Sequence, residues 1–398
     1  MNRNTIYIRI WILCLLIACA MPSEAIPVFA RKYGFNCTMC HSSYPRLNDY
    51  GVRYRNNGYQ LPGRENDERT ALEGPAPFAG RTSTGYTSEK FSNVEGAEKV
   101  DQFQINGLDL LSAGLFKENV GYFMIYVPQI NGTSGVAAQN ATLEMANVVF
   151  SHIGSSMFNV RVGRFEPAYV AFSVKRHLSF SPYEIYDFSF PSGQTLSETQ
   201  TGLEIYGYNL QGCQYAAGLV NGSGTNRDND SPADFYIRAA KVFGQGEGQT
   251  AGQRIGVVGY YGKARQYLSP STASPHNFQR FGVDASLNYT QWNLALQYIS
   301  GKDNKALWGA ESDVSFNGGF AELTYMPAFD FAAFVRKDNV NPNDTSGIRD
   351  INRWTIGGRY NIYENIALHL EYSDARQRNA VGPNSTAKFF TTRVDIAF

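Results

Sequence analysis

The residues whose types and spacing suit them to chemistry are Cys37-Thr38-Met39-Cys40-His41. Two cysteines separated by two residues, followed at once by a histidine, form the attachment pattern of a c-type haem. The thiols bond to the two vinyl groups of one haem, and the next residue offers its imidazole to the iron. Two other readings compete. A zinc site needs a second ligand pair, and beyond the N-terminal leader the only other cysteine is Cys213. A redox dithiol leaves His41 without a role and lacks the strand–helix setting of a thioredoxin fold. The expectation is one covalent haem c on Cys37 and Cys40, with His41 as proximal iron ligand.

The elements that must position this motif begin after a leader. Arg3 and Arg9 precede a short apolar run, Ile10 to Ala20, and Ser23-Glu24-Ala25 is a small-x-small cleavage site. Residues 1–25 therefore read as a signal peptide, and the protein as exported. Leu16-Ile17-Ala18-Cys19 also resembles a lipoprotein cleavage box, which would leave a lipidated Cys19. Residues 26–75 form a small unit holding the motif and a basic set, Arg31, Lys32, Arg46, Arg53, Arg55 and Arg64, which for most of its members reads as a solvated face. About fifty residues bury little core unaided. A haem would add apolar surface, and arginines could pair with its propionates. Gly58, Pro62, Gly63, Gly74, Pro75 and Pro77 mark a loop-rich linker.

From residue 76 to 398 the pattern changes. The whole chain is 14% aromatic and only 18% charged, with 38 glycines and no net charge, so it carries no nucleic-acid footprint. Segments of about ten residues alternate apolar and polar between turn residues, as transmembrane β-barrels do. Ile366, Leu368, Leu370 and Tyr372 share one face of such a segment. Tight turns near 117–119, 153–155, 211–212, 290–291, 326–327 and 363–364, with a longer one at 244–252, alternate with long polar loops. Those loops lie near 129–141, 166–200, 221–233, 264–277, 301–316, 338–350 and 375–386. Short periplasmic turns and long outer loops are the usual asymmetry. The count predicts an all-β, antiparallel barrel of about sixteen strands, with fourteen or eighteen open, in an outer membrane. Val394, Ile396 and Phe398 alternate, and a terminal aromatic on such a strand resembles an outer-membrane insertion signal.

Phe29-Ala30-Arg31, Gly34, Cys37, Cys40-His41, Pro45, Leu47, Gly51 and Gly58-Tyr59, followed by a barrel, resemble the fused monohaem cytochrome–porin family. Its known members are outer-membrane iron oxidases. The resemblance is strongest over residues 27–63. The chain departs from it at Lys32-Tyr33, where the family commonly has Gln-Thr, and at Asn48-Asp49-Tyr50-Gly51, where it commonly has Thr-Pro-Phe-Gly. The resemblance implies a haem unit lodged in its own porin and an Fe(II)-oxidising activity.

One haem below the pore could not reach across roughly 30 Å of hydrocarbon, whereas one drawn into the lumen could approach both sides. The leading expectation is thus a single-haem electron conduit. It takes electrons from an outside donor such as Fe(II) to a periplasmic cytochrome or similar carrier. Two alternatives stand beside it: a transport porin with an N-terminal plug, and electron export to outside metal. The unit holds no second histidine, and its only methionine is Met39, so a distal iron ligand must come from the barrel. His177, in the third long loop, is the first candidate, because that loop commonly folds into the lumen of sixteen-stranded porins. His369, on the lumen face of its strand, is the second. Acidic loop residues Asp228, Asp230 and Asp234, and Asp338, Asp344 and Asp350, suit cation attraction or plain solvation.

Overall fold

Sixteen antiparallel strands, β3 (Phe78–Ser92) through β18 (Ser385–Ala397), pair with their sequence neighbours and close into a barrel through β18 and β3. The computed structural model describes residues 28–398 apart from 62, 64–69, 72, 74–75, 95–98, 130–140, 156, 191–194, 210, 225–232, 245–251, 270–271, 305–312 and 343–347. The leader, its cleavage site and Cys19 lie outside the described residues, as do Asp228, Asp230 and Asp344. No described helix is long and apolar enough to cross a membrane; strands do the crossing.

Alternation makes the barrel. On β17 (Ile366–Asn379), Leu368, Leu370 and Tyr372 are exposed on the outside, while His369, Glu371 and Ser373 are buried on the inside. Outward aromatics gather at the short-turn end, with Tyr289, Trp292 and Tyr363 exposed. They form the girdle expected at a membrane boundary. Inside, polar groups pair across the wall, as Arg280 does with Asp303 and Arg238 with Asp284 at 2.7 Å.

The strands run further than their polarity suggests. The expected loop at 264–277 is mostly ladder: β11 (Gln253–Ser269) and β12 (Thr272–Tyr289) stay in register from Arg254–Ser286 out to Tyr267–Ala273, and the register shifts before a last pair, Ser269–Thr272. Likewise β15 (Phe331–Pro342) takes in Asp338, and β17 runs to Asn379. Above the membrane no lipid face enforces apolar alternation, so sequence pattern fades where pairing does not. The turn expected at 326–327 falls at 329–330 for the same reason of extended pairing.

Two insertions enter the lumen. The first is the connection from β7 (Phe158–Phe165) to β8 (Gln200–Tyr208), residues 166–199, which carries the short helix α3 (Glu184–Asp187). Its Tyr169, Tyr183, Ile185, Tyr186 and Phe190 bury against inward residues such as Tyr236, Tyr260, Phe316 and Phe320. Among the described residues, the largest apolar core therefore sits inside the barrel. The same segment reaches the opposite wall, where Phe180 stacks on Phe389 of β18 at 5.2 Å. Folding of this third long loop into the lumen, expected from the strand count, is what the structure shows.

The second insertion is the N-terminal unit: helix α1 (Val28–Tyr33), a 3₁₀ turn at Cys37–Met39, a two-stranded hairpin of β1 (His41–Ser43) and β2 (Arg46–Leu47), and helix α2 (Asp49–Asn56). Asn48 caps α2, its side chain accepting from Gly51 N at 2.9 Å. Phe29 packs on Tyr54 and Tyr59, with ring centroids 5.1 and 5.4 Å apart, and Tyr59 stacks on Phe123 of the wall at 5.6 Å.

Candidate functional site

The N-terminal unit touches the barrel around its short-turn end. Gln60 Nε2 donates to Ser151 Oγ at 2.8 Å, and Asn159 Nδ2 donates to Asn56 O at 2.7 Å. His152 Nε2 meets Asn57 Oδ1 at 2.8 Å. Farther round, Arg46 reaches Thr324 Oγ1 at 3.2 Å and also Asn293, and Cys37 N donates to Glu364 Oε2 at 3.2 Å. Arg359 lies over the Tyr44 ring at 5.6 Å. These partners come from well-separated strands and turns, so the unit lies across the mouth.

Cys37 and Cys40 bracket a single 3₁₀ turn, with Cys40 N donating to Cys37 O at 3.2 Å. Side chains three residues apart on such a turn lie one above the other, so the two thiols share a side. Both are free, Cys37 buried and Cys40 half-buried. Burial first, then the Glu364 carboxylate, pushes the Cys37 thiol up to about 12, and burial raises Cys40 as well. A reactive dithiol needs the opposite shift. His41 Nδ1 lies 3.1 Å from Pro45 O. A ring N–H donated to that carbonyl leaves Nε2 for a metal, which is how ligating histidines are commonly held. Burial pushes the imidazole down to about 4, so it stays neutral near pH 7. The residues present fit a covalent haem.

Between this unit and the inward segment lies a chamber of about 850 Å³, within the ~300–1,000 Å³ range of small-molecule pockets. Met39, Ser42 and Leu47 form part of its floor and His177 part of its roof. Its charge is uneven: seven arginines line it against four carboxylates. Arg46, Arg53 and Arg55 come from the N-terminal unit, Arg176 from the inward segment, and Arg161, Arg238 and Arg254 from the wall. Arg161 pairs with Glu204, Arg176 with Glu166 at 2.7 Å, and Arg53 with Asp49 at 3.0 Å. Arg46 and Arg55 meet no carboxylate within ion-pair distance among the described residues. Burial first, then Arg176, pushes the Arg55 guanidinium down to about 10.

The two proposed distal histidines part company here. His177 lines the chamber shared with Met39 and Ser42, its Nδ1 held 3.0 Å from Ser179 Oγ. His369 faces inward as expected but is buried in the wall, with Nε2 3.2 Å from Glu371 Oε2. Of the loop acids read as cation-attracting or plainly solvated, the three that lie in described residues are engaged. Asp338 binds Arg336 at 2.7 Å, Asp350 takes Arg378, and Asp234 accepts from Tyr260 at 2.6 Å. The arginine chamber escaped sequence reading, because its members are scattered from Arg46 to Arg254 and meet only once the barrel has closed.

Residues 80–398 match the family model described as phosphate-selective porin O and P. No curated protein sequence matches the chain. Among solved structures, the outer membrane channel DcaP of Acinetobacter baumannii is similar at 11% identity. That match covers 81% of this chain and 96% of that one, with a TM-score of 0.59. An anion-selective porin from Comamonas acidovorans is similar at 12% identity, covering 81% and 99%, with a TM-score of 0.57. OprB of Pseudomonas putida gives 12%, 81% and 94%, with 0.56. These likenesses show the porin fold. They overturn the resemblance to the fused monohaem cytochrome–porin family, since the family matched is a porin family and no cytochrome family matches. The residues that carried the resemblance have packing reasons of their own. A Cβ on Gly51 would stand 2.2 Å from Cys40 O, and one on Gly58, at φ +69°, 2.5 Å from Ser151 Cβ. Phe29 and Tyr59 build the aromatic cluster that seats the unit on the wall.

Proposed function

Because the chain belongs to the phosphate-selective porin O and P family, we propose that it is an outer-membrane channel for small anions, stopped at its periplasmic mouth by residues 28–61. The carrying observation is the chamber, where Arg46 and Arg55 make no ion pair with a carboxylate among the described residues, Glu322 and Glu166 reaching them only at longer range. Guanidinium groups suit phosphate and carboxylate oxygens, and low-dielectric walls focus the field of unbalanced cations. An anion entering past the inward segment meets this excess on the face that the mouth unit turns to the chamber. Planar-bilayer recording under a salt gradient tests the reading. Anion selectivity that falls sharply in Arg46→Ala/Arg55→Ala supports it; cation selectivity, or selectivity unchanged in that variant, rejects it.

In the mouth unit Cys37 and Cys40 would hold a haem covalently, and His41 would ligate its iron. Bound there, a haem supplies one-electron redox chemistry. The chain's own part is to hold the imidazole neutral and oriented through Pro45 and to place His177 in the adjoining chamber. A second reading rests on this motif: electrons pass between an outside donor such as Fe(II) and a periplasmic carrier. Haem absorbance in protein matured with a c-type attachment system decides both. A covalent c-type spectrum lost in Cys37→Ala supports the haem. Its reduction by Fe(II) added outside sealed proteoliposomes supports the electron reading, and a colourless wild type rejects both.

A further inference from the structure

The outer surface of a transmembrane barrel presents an apolar band to lipid. Over β15, β16 (Ile348–Tyr363), β17, β18 and β3 that band includes Val335, Ile356 and Tyr372, all exposed. Just above it the outward row turns basic. Lys90, Lys337, Arg376, Arg378 and Lys388 line one groove of about 1150 Å³, with Asp350 and Asp374 as the only carboxylates lining it among the described residues. Both acids are taken: Asp374 by Arg376 at 3.3 Å, Asp350 by Arg378. Lys337 Nζ stands 5.1 Å over the exposed Trp354 ring, at the level where aromatics mark a membrane boundary.

Lys90 and Lys388 remain. They are direct cross-strand partners on adjoining β3 and β18, and both are exposed. Neither makes an ion pair among the described residues; Asp101, which feels the charge of Lys90 from the next strand, is paired with Lys99. Asp374 lies opposite Lys388 on its other side, but its carboxylate is turned to Arg376. Like charges directly opposite on a sheet destabilise it. The arrangement is stable where an anion stands between them, and the groove opens above a lipid-facing band. A ligand with phosphate at its head and acyl chains below matches both features, since basic clusters flanking a membrane segment recognise anionic head groups.

We infer that Lys90, Lys388 and their basic neighbours hold the phosphate of an acidic lipid of the outer leaflet, its chains lying down over Val335, Ile356 and Tyr372. The test uses the full-length protein in phosphatidylcholine nanodiscs doped with lipid A or with its dephosphorylated form, read by native mass spectrometry. The expected result is retained lipid A, little retention of the dephosphorylated form, and at least a tenfold loss in Lys90→Gln/Lys388→Gln. That variant keeps wild-type heat-modifiable mobility, because it removes a repulsion. Lys302→Gln, on another stretch of the outer rim, retains the lipid. Equal loss in Lys302→Gln, or equal retention of both lipids, overturns the inference. So does full displacement by millimolar inorganic phosphate, or efficient crosslinking between copies through a cysteine at position 388.

Discussion

The Glu371 carboxylate, on one wall of the barrel, accepts the backbone N–H of Ser181 at 2.7 Å through Oε1, while Oε2 takes that of Phe180 at 2.5 Å. This ties the far tip of the inward segment to β17, opposite the wall against which its tyrosines pack. Two N–H groups, that of Ser181 buried and that of Phe180 half-buried, depend on one side chain. Glu371→Ala should cost about 1–3 kcal/mol for each donor left unpaired. The release shows as larger, noisier single-channel conductance, while Glu371→Gln keeps part of the tether. An unchanged conductance trace in Glu371→Ala would show that the segment is held elsewhere.

Arg336 is the second tether. It is fully buried on β15 and donates to Ser181 O at 2.9 Å and Pro182 O at 2.7 Å, while its Nε binds Asp338 at 2.7 Å. Removing one partner of a buried pair strands the other charge, at roughly 3–5 kcal/mol. Arg336→Ala should lower the temperature at which the folded, heat-modifiable band is lost. Arg336→Ala/Asp338→Ala should recover part of that loss, and no recovery would show that the pair is not the unit being broken.

The mouth unit depends on a backbone conformation that side chains rarely adopt. Gly58 has φ +69°, and a Cβ there would press on Ser151. Backbone strain of this kind costs on the order of 1–3 kcal/mol. Gly58→Ala should loosen the unit from the β6 (Thr142–Phe150) to β7 turn, raise conductance and expose residues 28–61 to added protease. Protection equal to wild type would place the anchor at Glu364 or Arg46 instead.

His41→Ala bears on the haem alone. The imidazole lies within its own hairpin, against Tyr44 and Pro45, so the barrel should assemble with wild-type mobility. The covalent haem spectrum should lose its native form. A native spectrum in this variant would remove His41 as iron ligand.

The barrel was legible because lipid makes alternation compulsory. Leu368, Leu370 and Tyr372 must face out, and the turns at Gly154, Gly212 and Tyr363-Glu364 must be short on one side. Legibility stopped where that constraint stops. The ladder from Arg265–Pro275 to Tyr267–Ala273 reads as loop, because its residues do not alternate apolar and polar although its backbone is paired. In the N-terminal unit, Phe29, Gly51 and Tyr59 suggested a family, whereas each has a local packing task. The motif Cys37-Thr38-Met39-Cys40-His41 was visible at once, since its meaning lies in spacing. The chamber was not, since Arg55, Arg161 and Arg254 acquire a common meaning only in three dimensions.

The facing lysines at positions 90 and 388 lie on the one seam that joins the first barrel strand to the last. Every other seam zips between neighbours in sequence; this one is a long-range encounter, and it brings two positive charges together. Ring closure therefore meets a repulsion that an anionic leaflet would screen. Refolding into neutral vesicles should reach the open sheet at the usual pace and stall before the closed, heat-modifiable form, and acidic lipid should speed that last step alone. In this barrel the membrane is a reagent for its own sealing as well as a solvent.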